Sequence, residues 1–291
     1  MLKHYFLKDR VKKRQNGMSL PDIALLISTY QRPAHLERVL ASVAVQKGVQ
    51  GKFEVVVSDD GSTDRTADVV SRFSRTVDFP VRYTTHRHDG FQLARCRNDG
   101  VRASKAEYLV FLDGDCVIPP DHLAIHQRHR RRGIVFAGFC CWIDRPTSER
   151  ISIDNILTGE FINLIPRNAL DSVNRMHRKS SFYSFIRHSS KPKLYGGNVG
   201  IWRHDYECVN GYDENYRGWG CEDDDLRLRL RGSGIQIRSI AKWTRSYHLW
   251  HPPSPSSPKI WKEGDNITYF KRFQRDSCCV NGLARREPAS Q

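Results

Sequence analysis

The chain has 291 residues, 39% of them hydrophobic, which is enough to bury a sizeable core in one large domain or two small ones. Lys and Arg outnumber Asp and Glu by 47 to 32, and the formal net charge of +15 points to an anionic partner: nucleotide phosphates, an acidic membrane surface or nucleic acid. No run approaches roughly 18 consecutive apolar residues, so no membrane-spanning helix is expected, and the basic N-terminus lacks the apolar stretch of a secretory signal. Eight cysteines include two adjacent pairs and no CxxC, so free thiols in a reducing cytoplasm are expected rather than disulfides or zinc.

Residues 1–18 are basic, with little apolar pattern, and read as a mobile tail. From Ile23 the pattern alternates between strands and helices. Ile23–Ile27 reads as a buried strand, and 33–46 as a helix with Pro33 in its first turn and Leu36, Val39, Leu40 and Val43 on one face. Phe53–Val57 is a second strand, followed by a turn at Asp60 and a helix from Asp64 to Phe73. A short strand at 81–84, a helix at 93–103 and an apolar strand at 108–112 lead to Asp113-Gly114-Asp115. A helix at 121–131 and a strand at 134–139 complete this part. Residues 144–191 break the rhythm, mix basic and aromatic side chains, and read as a helical insert. A helix from about Asp223 to Arg231 follows, then a Pro-rich linker at 252–258 and a short tail helix at 260–273. The last dozen residues read as disordered. The expected organisation is a single domain over 19–251, with a donor half at 19–140, the insert at 144–191 and a catalytic part at 192–251, and with 252–291 as linker and tail.

Strands alternating with helices predict an α/β fold with a mostly parallel sheet, and ligands in such sheets bind beyond the C-terminal strand ends. The polar clusters sit at those ends: Ser28-Thr29-Tyr30, Asp59-Asp60 and Asp113-Gly114-Asp115. Paired carboxylates after a strand suit a hard divalent cation, Mn²⁺ or Mg²⁺, which in turn binds phosphate oxygens. Asp59 and Asp60 are both candidates for accepting hydrogen bonds from a nucleoside, against a plain turn-and-cap role. Arg95 and Arg97 could bind a diphosphate through their planar forks. Gly218-Trp219-Gly220 precedes four acids at a helix start; Trp219 offers a face to a sugar ring, and an acid there could act as general base. His248 and His251, three apart, become plausible metal ligands in a chain that already carries a carboxylate motif.

Taken in order, Ile27-Ser-Thr-Tyr30, Val56-Val-Ser-Asp-Asp-Gly-Ser-Thr-Asp64, Arg97-Asn-Asp-Gly100, Phe111-Leu-Asp-Gly-Asp115, Tyr195-Gly-Gly-Asn198, Asn210-Gly-Tyr212 and Gly218-Trp-Gly-Cys-Glu-Asp-Asp-Asp-Leu226 resemble a family 2 type glycosyltransferase of the GT-A fold. The later part is similar to the C-terminal signature of β-1,4-galactosyltransferases and chondroitin-polymerase-like enzymes. The resemblance spans roughly residues 22–251. It implies that Thr29, Tyr30 and Asp59 or Asp60 hold the nucleoside, with Ser28 beside them. It implies that Asp113 contacts ribose or the metal, that Asp115 ligates the metal, and that His251, with His248 second, completes the site. It places Asp223 on the catalytic base, Glu222 on the acceptor-binding acid, and Gly197 and Asn198 near the donor sugar. His248 stands where the galactosyltransferases carry Met, which bears on metal preference.

The implied reaction is inverting transfer from a nucleotide-sugar, a UDP-sugar, to the hydroxyl of a glycan or lipid-linked glycan in polysaccharide synthesis. A retaining transferase or a nucleotidyltransferase on a similar fold are the alternatives. Nucleic acid is not an expected partner, because the basic residues are dispersed and form no binding motif. The basic and aromatic stretch around 178–187 could seat the chain on the inner face of an anionic membrane, or it could be an ordinary amphipathic helix packed on the core.

Overall fold

The structure is a computed structural model that describes residues 20–253, 264–272 and 276–285. The N-terminal tail, most of the Pro-rich linker and the last six residues lie outside the described residues. The first part of the chain builds β1 (Ile23–Thr29), α1 (Pro33–Ala44), β2 (Phe53–Asp59), α2 (Thr66–Ser74), β3 (Val81–Thr85), α3 (Leu93–Ala103), β4 (Tyr108–Asp113), β5 (Cys116–Val117), α4 (His122–His129), β6 (Ile134–Ala137) and β7 (Cys140–Trp142). The insert is helical, as its composition predicts: α5 (Arg145–Arg150), α6 (Ile153–Thr158), a 3-10 turn at Glu160–Leu164 and the long α7 (Arg167–Phe185). Then come β8 (Asn198–Trp202), α8 (Arg203–Glu207), α9 (Glu222–Gly232), β9 (Gln236–Ser239), β10 (Ser246–His248) and α10 (Asp265–Arg272).

Seven strands form one sheet in the order β3-β2-β1-β4-β8-β6-β9. Only β8 runs against the others, pairing antiparallel with both β4 and β6. Its reversal brings its N-terminal end, Asn198, to the same sheet edge as the C-terminal end of β4, where it pairs with Leu112. A small second sheet, β5-β10-β7, escapes a reading of periodicity because its strands are two or three residues long.

The alternation along β1 explains the layering. Ile23, Leu25 and Ile27 pack with Leu36, Val39 and Val43 of α1 and with Ile156 and Phe161 of the insert. Ala24 and Leu26 face the opposite layer, with Ala94 and Val101 of α3 and Leu226 and Leu230 of α9. Both faces are covered, so β1 is buried throughout.

Two expectations change. The strand begun at Ile134 ends at Ala137, although Gly138 N still donates to Asn198 O at 2.7 Å in the same register. Residues 276–285, read from the sequence as tail and partly as disorder, pack on the body instead. Cys279 is buried, Asn210 Nδ2 donates to the carbonyls of Cys279 and Ala284, and Arg102 donates to Gly282 O. Among the described residues no helix is long and apolar enough to cross a membrane.

Candidate active site

At the C-terminal edge of β1, β2 and β4 lies a cavity of about 550 Å³. Backbone hydrogen bonds set its floor: Gly114 N donates to Ser28 O at 2.7 Å, and Asp60 N donates to Thr29 O at 3.0 Å. A side chain at Gly114 would meet Ser28 O at 2.9 Å, so the loop between Asp113 and Asp115 can lie this close to β1 only as glycine.

Asp115 is the centre of one cluster. Leu249 N donates to Asp115 O at 2.9 Å, and His248 pairs with Cys116 across β5 and β10. This small sheet carries both histidines to the carboxylate. His248 Nε2 lies 3.4 Å from Asp115 Oδ1, and His251 Nε2 lies 3.1 Å from Oδ2. Donor atoms of Asp115, His248 and His251 all fall within 4.8 Å of one another, as do those of Asp113, Asp115 and Cys116. Burial opposes ionisation of Asp115, but the His251 hydrogen bond and the charges of His248, His251 and Arg32 outweigh it and hold its carboxyl well below the usual range. Burial lowers the pKa of His248 from the ordinary histidine range. His251 Nδ1 contacts the Pro252 carbonyl at 2.6 Å, which orients the ring with its Nε2 toward Asp115. One carboxylate and two imidazoles, one of them oriented by a carbonyl behind it, fit a divalent cation such as Mn²⁺.

Asp223 is the centre of the second cluster. Arg97, itself buried, donates to Asp223 Oδ1 at 2.9 Å and to Asp113 Oδ1 at 3.2 Å. Tyr212 OH donates to Asp223 Oδ1 at 2.8 Å, and Gly196 N donates to Oδ2 at 2.8 Å. Oδ1 therefore has both lone-pair sites filled, while Oδ2 still has acceptor capacity. Glu222 Oε1 stands 3.7 Å from Arg97, while its Oε2 is buried without a hydrogen bond. Burial first, then the charge of Asp223, pushes the Glu222 carboxyl up to about 7.

Ser28, Thr29, Tyr30, Asp60, Arg97, Asp113, Asp115, Gly197, Trp219, Glu222, Asp223, His248 and His251 all line this one cavity. Tyr30 stacks on His88 with ring centroids 4.3 Å apart. Asp60 accepts from Gln92 N at 3.0 Å and faces His86 Nε2 at 2.8 Å. Asp59 lies behind the wall, accepting from Ser62, Tyr83 and Thr85. Besides Asp59, two more residues singled out by sequence are not brought to the cavity. Arg95 turns outward, 3.9 Å from Asp99, because successive helical positions diverge and Arg97 takes the inner face. Asn198 points under the sheet, where its Oδ1 contacts His126 Nε2 at 3.0 Å. Arg97 itself is held by two carboxylates rather than standing free for an anion.

Sequence reasoning assigned no role to Arg32, which reaches Asp115 Oδ2 at 3.1 Å, or to Tyr212 and Gly196, which hold Asp223. The motifs around Tyr212 and Gly196 were visible, but nothing in their spacing says that they converge on Asp223.

Residues 24–189 match the model of glycosyl transferase family 2, and residues 175–252 match that of the N-terminal domain of galactosyltransferase. A validoxylamine A glucosyltransferase of Streptomyces hygroscopicus subsp. limoneus is 32% identical over 232 residues, covering 75% of this chain and 49% of the relative. A chondroitin synthase of Escherichia coli is 27% identical over 263 residues, covering 84% of this chain and 37% of the relative. The chain thus spans half or less of the length of these relatives. Among solved structures, the mannosyltransferase PcManGT of Pyrobaculum calidifontis, in complex with GDP-Man and Mn²⁺, superposes with a TM-score of 0.57 at 19% identity, covering 86% of this chain and 63% of that one. TarS 1-349 of S. aureus, in complex with UDP-GlcNAc, gives 0.57 at 16% identity, covering 86% and 64%. At these identities the likeness shows the fold, which is the GT-A arrangement.

Proposed function

Because the chain belongs to glycosyl transferase family 2, and is a glycosyltransferase, we propose that it moves a sugar from a nucleotide-sugar donor, a UDP-sugar, to the hydroxyl of a glycan acceptor with inversion at the anomeric carbon. The observation that carries this reading is the placement of Asp223 in one cavity with the Asp115, His248 and His251 cluster, joined to it through Arg97 and Asp113. The names of the relatives, a glucosyltransferase and chondroitin synthases, support a saccharide or saccharide-like acceptor.

Asp223 takes the proton of the acceptor hydroxyl. The hydroxyl oxygen forms its bond to the anomeric carbon as the bond from that carbon to the diphosphate oxygen breaks, and the nucleoside diphosphate leaves with both electrons. Arg97 and Tyr212 hold Asp223 in place. Glu222, protonated up to about neutral pH, can donate a hydrogen bond to an acceptor oxygen. Tyr30 and Asp60 line the end of the cavity suited to the nucleoside, and Trp219 offers its ring to the acceptor. Asp115, His248 and His251, with Asp113 beside them, would hold a Mn²⁺ ion. When bound, such an ion supplies charge neutralisation for the departing diphosphate.

The test is nucleoside diphosphate release from a panel of nucleotide sugars, with Mn²⁺ and with chelator, for wild type and Asp115→Ala. Metal-dependent release from one donor, lost in the variant, is expected. Undiminished release in chelator, or release of pyrophosphate instead, would overturn the reading.

A further inference from the structure

The second half of α7 is buried the wrong way round. His177, Ser180 and Ser184, at spacings of three and four, face the sheet edge: His177 Nδ1 lies 2.9 Å from Ser239 Oγ, Ser180 is buried, and Ser184 Oγ donates to Ile237 O at 3.0 Å. Phe182, Phe185 and Ile186 face solvent, with Phe185 85% exposed. The first half of α7 packs Leu170, Val173 and Met176 on the core, whereas in this second half the face turned to the protein is the polar one. Exposed large apolar side chains grouped on one helix end mark a surface that is covered by something.

The charges around this patch say what covers it. Arg175, Arg178, Lys179 and Arg187 are all exposed on or beside the same helix end. The shallow groove next to it is lined by Arg187, Arg231 and Arg238, with Phe185 at its lip. Arg231 is pinned there by donating to the carbonyls of His188 and Lys191, so the connection after α7 is held against α9. We propose that this end of the molecule docks on an anionic lipid bilayer, with Phe182, Phe185 and Ile186 in the headgroup boundary and the surrounding cations on lipid phosphates. The same helix carries Met176 into the wall of the cavity, and Phe185 follows it nine residues on, about 14 Å along the axis. Docking would hold the cavity close to the membrane surface, within reach of a lipid-borne acceptor. The inference rests on the surface alone and stands whichever sugar is transferred.

The experiment is co-sedimentation of the full chain with vesicles of phosphatidylcholine, with and without about one-third phosphatidylglycerol, at low and high salt. Wild type is expected to partition at least about tenfold better onto the anionic vesicles, with the preference fading as salt rises. Phe182→Ser/Phe185→Ser and, separately, Arg178→Gln/Lys179→Gln are each expected to lose about tenfold in partitioning while nucleotide-sugar hydrolysis is unchanged. Equal binding to neutral vesicles, no binding to anionic vesicles at low salt, or variants that bind as wild type would overturn the proposal. So would a concentration-dependent dimer that the Phe variant abolishes in the absence of vesicles, because a second copy would then be the occupant.

Discussion

Asp223, the proposed base, is a carboxylate held from both sides. Arg97 and Tyr212 donate to one oxygen and the Gly196 amide to the other, so the side chain is fixed without being saturated. An asparagine there sets its amide against either the Arg97 and Tyr212 donors or the Gly196 N–H, which costs about 1–3 kcal/mol. Asp223→Asn is therefore expected to fold, melt slightly lower, and lose about 10²–10⁴-fold in transfer. A coupled assay run beside a melting curve checks both, and transfer within a few-fold of wild type would remove Asp223 as base. Glu222 gives a pH prediction. Its ordinary value is 4.5, and burial raises it to about 7 in the fold, so the folded state binds the extra proton between those values. Stability from this group is whole below about 4.5 and falls as pH rises to about 7, by about 3 kcal/mol at most. Glu222→Gln should flatten that stretch of the profile of melting temperature against pH. An unchanged slope would show that Glu222 titrates normally.

At the scale of elements, α9, the helix that carries Glu222 and Asp223, is entered through a strained loop. Gly218 and Gly220 have φ of +80° and +95°, and Cys221, a non-glycine, sits at +74° as the residue before α9. Such backbone persists when neighbours hold it. The neighbour here is α10, from which Asn266 Nδ2 donates to Gly220 O at 2.9 Å and Gly218 O at 3.3 Å, while Tyr269 OH donates to Asp213 at 2.9 Å. Asn266→Ala frees the carbonyls on both sides of Trp219. It is expected to lower kcat about tenfold while the melting temperature moves by only a few degrees, because the loop is local and the core is untouched. A loss confined to stability would mean that α10 is a brace only. The existence of α10 was legible in the sequence, but its grip on the Gly-Trp-Gly loop was not, since Asn266 and Gly220 lie 46 positions apart.

For the whole molecule, the two carboxylate clusters share one cavity because the lone reversed strand, β8, turns the chain back to the edge where β1 and β4 end. Asp115 comes from the donor half, and His248 and His251 from the far end of the domain, so an ion binding all three ties the two halves together. Mn²⁺ should raise the melting temperature of wild type, with a gain of about 2.7 kcal/mol at a hundred times Kd, and chelator should abolish the gain. Asp115→Ala should show none of it. Equal Mn²⁺ stabilisation in that variant would place the ion elsewhere.

Apart from the two-residue β5, the order of strands and helices through Ala137, the sheet edge that holds the cavity and the candidate acids were readable from the sequence, because each is written in local periodicity or in short contiguous motifs. Tertiary structure alone decided the rest. It turned Arg97 inward and Arg95 outward, put Asp60 rather than Asp59 on the cavity wall, brought Arg32 to Asp115, and folded residues 276–285 back onto the body. It also turned a polar face of the second half of α7 inward, leaving Phe182 and Phe185 outside. These outcomes depend on contacts between residues far apart in the chain, and on which face of a helix meets its neighbour. Local pattern records only that a face exists; packing against the rest of the molecule selects where it points.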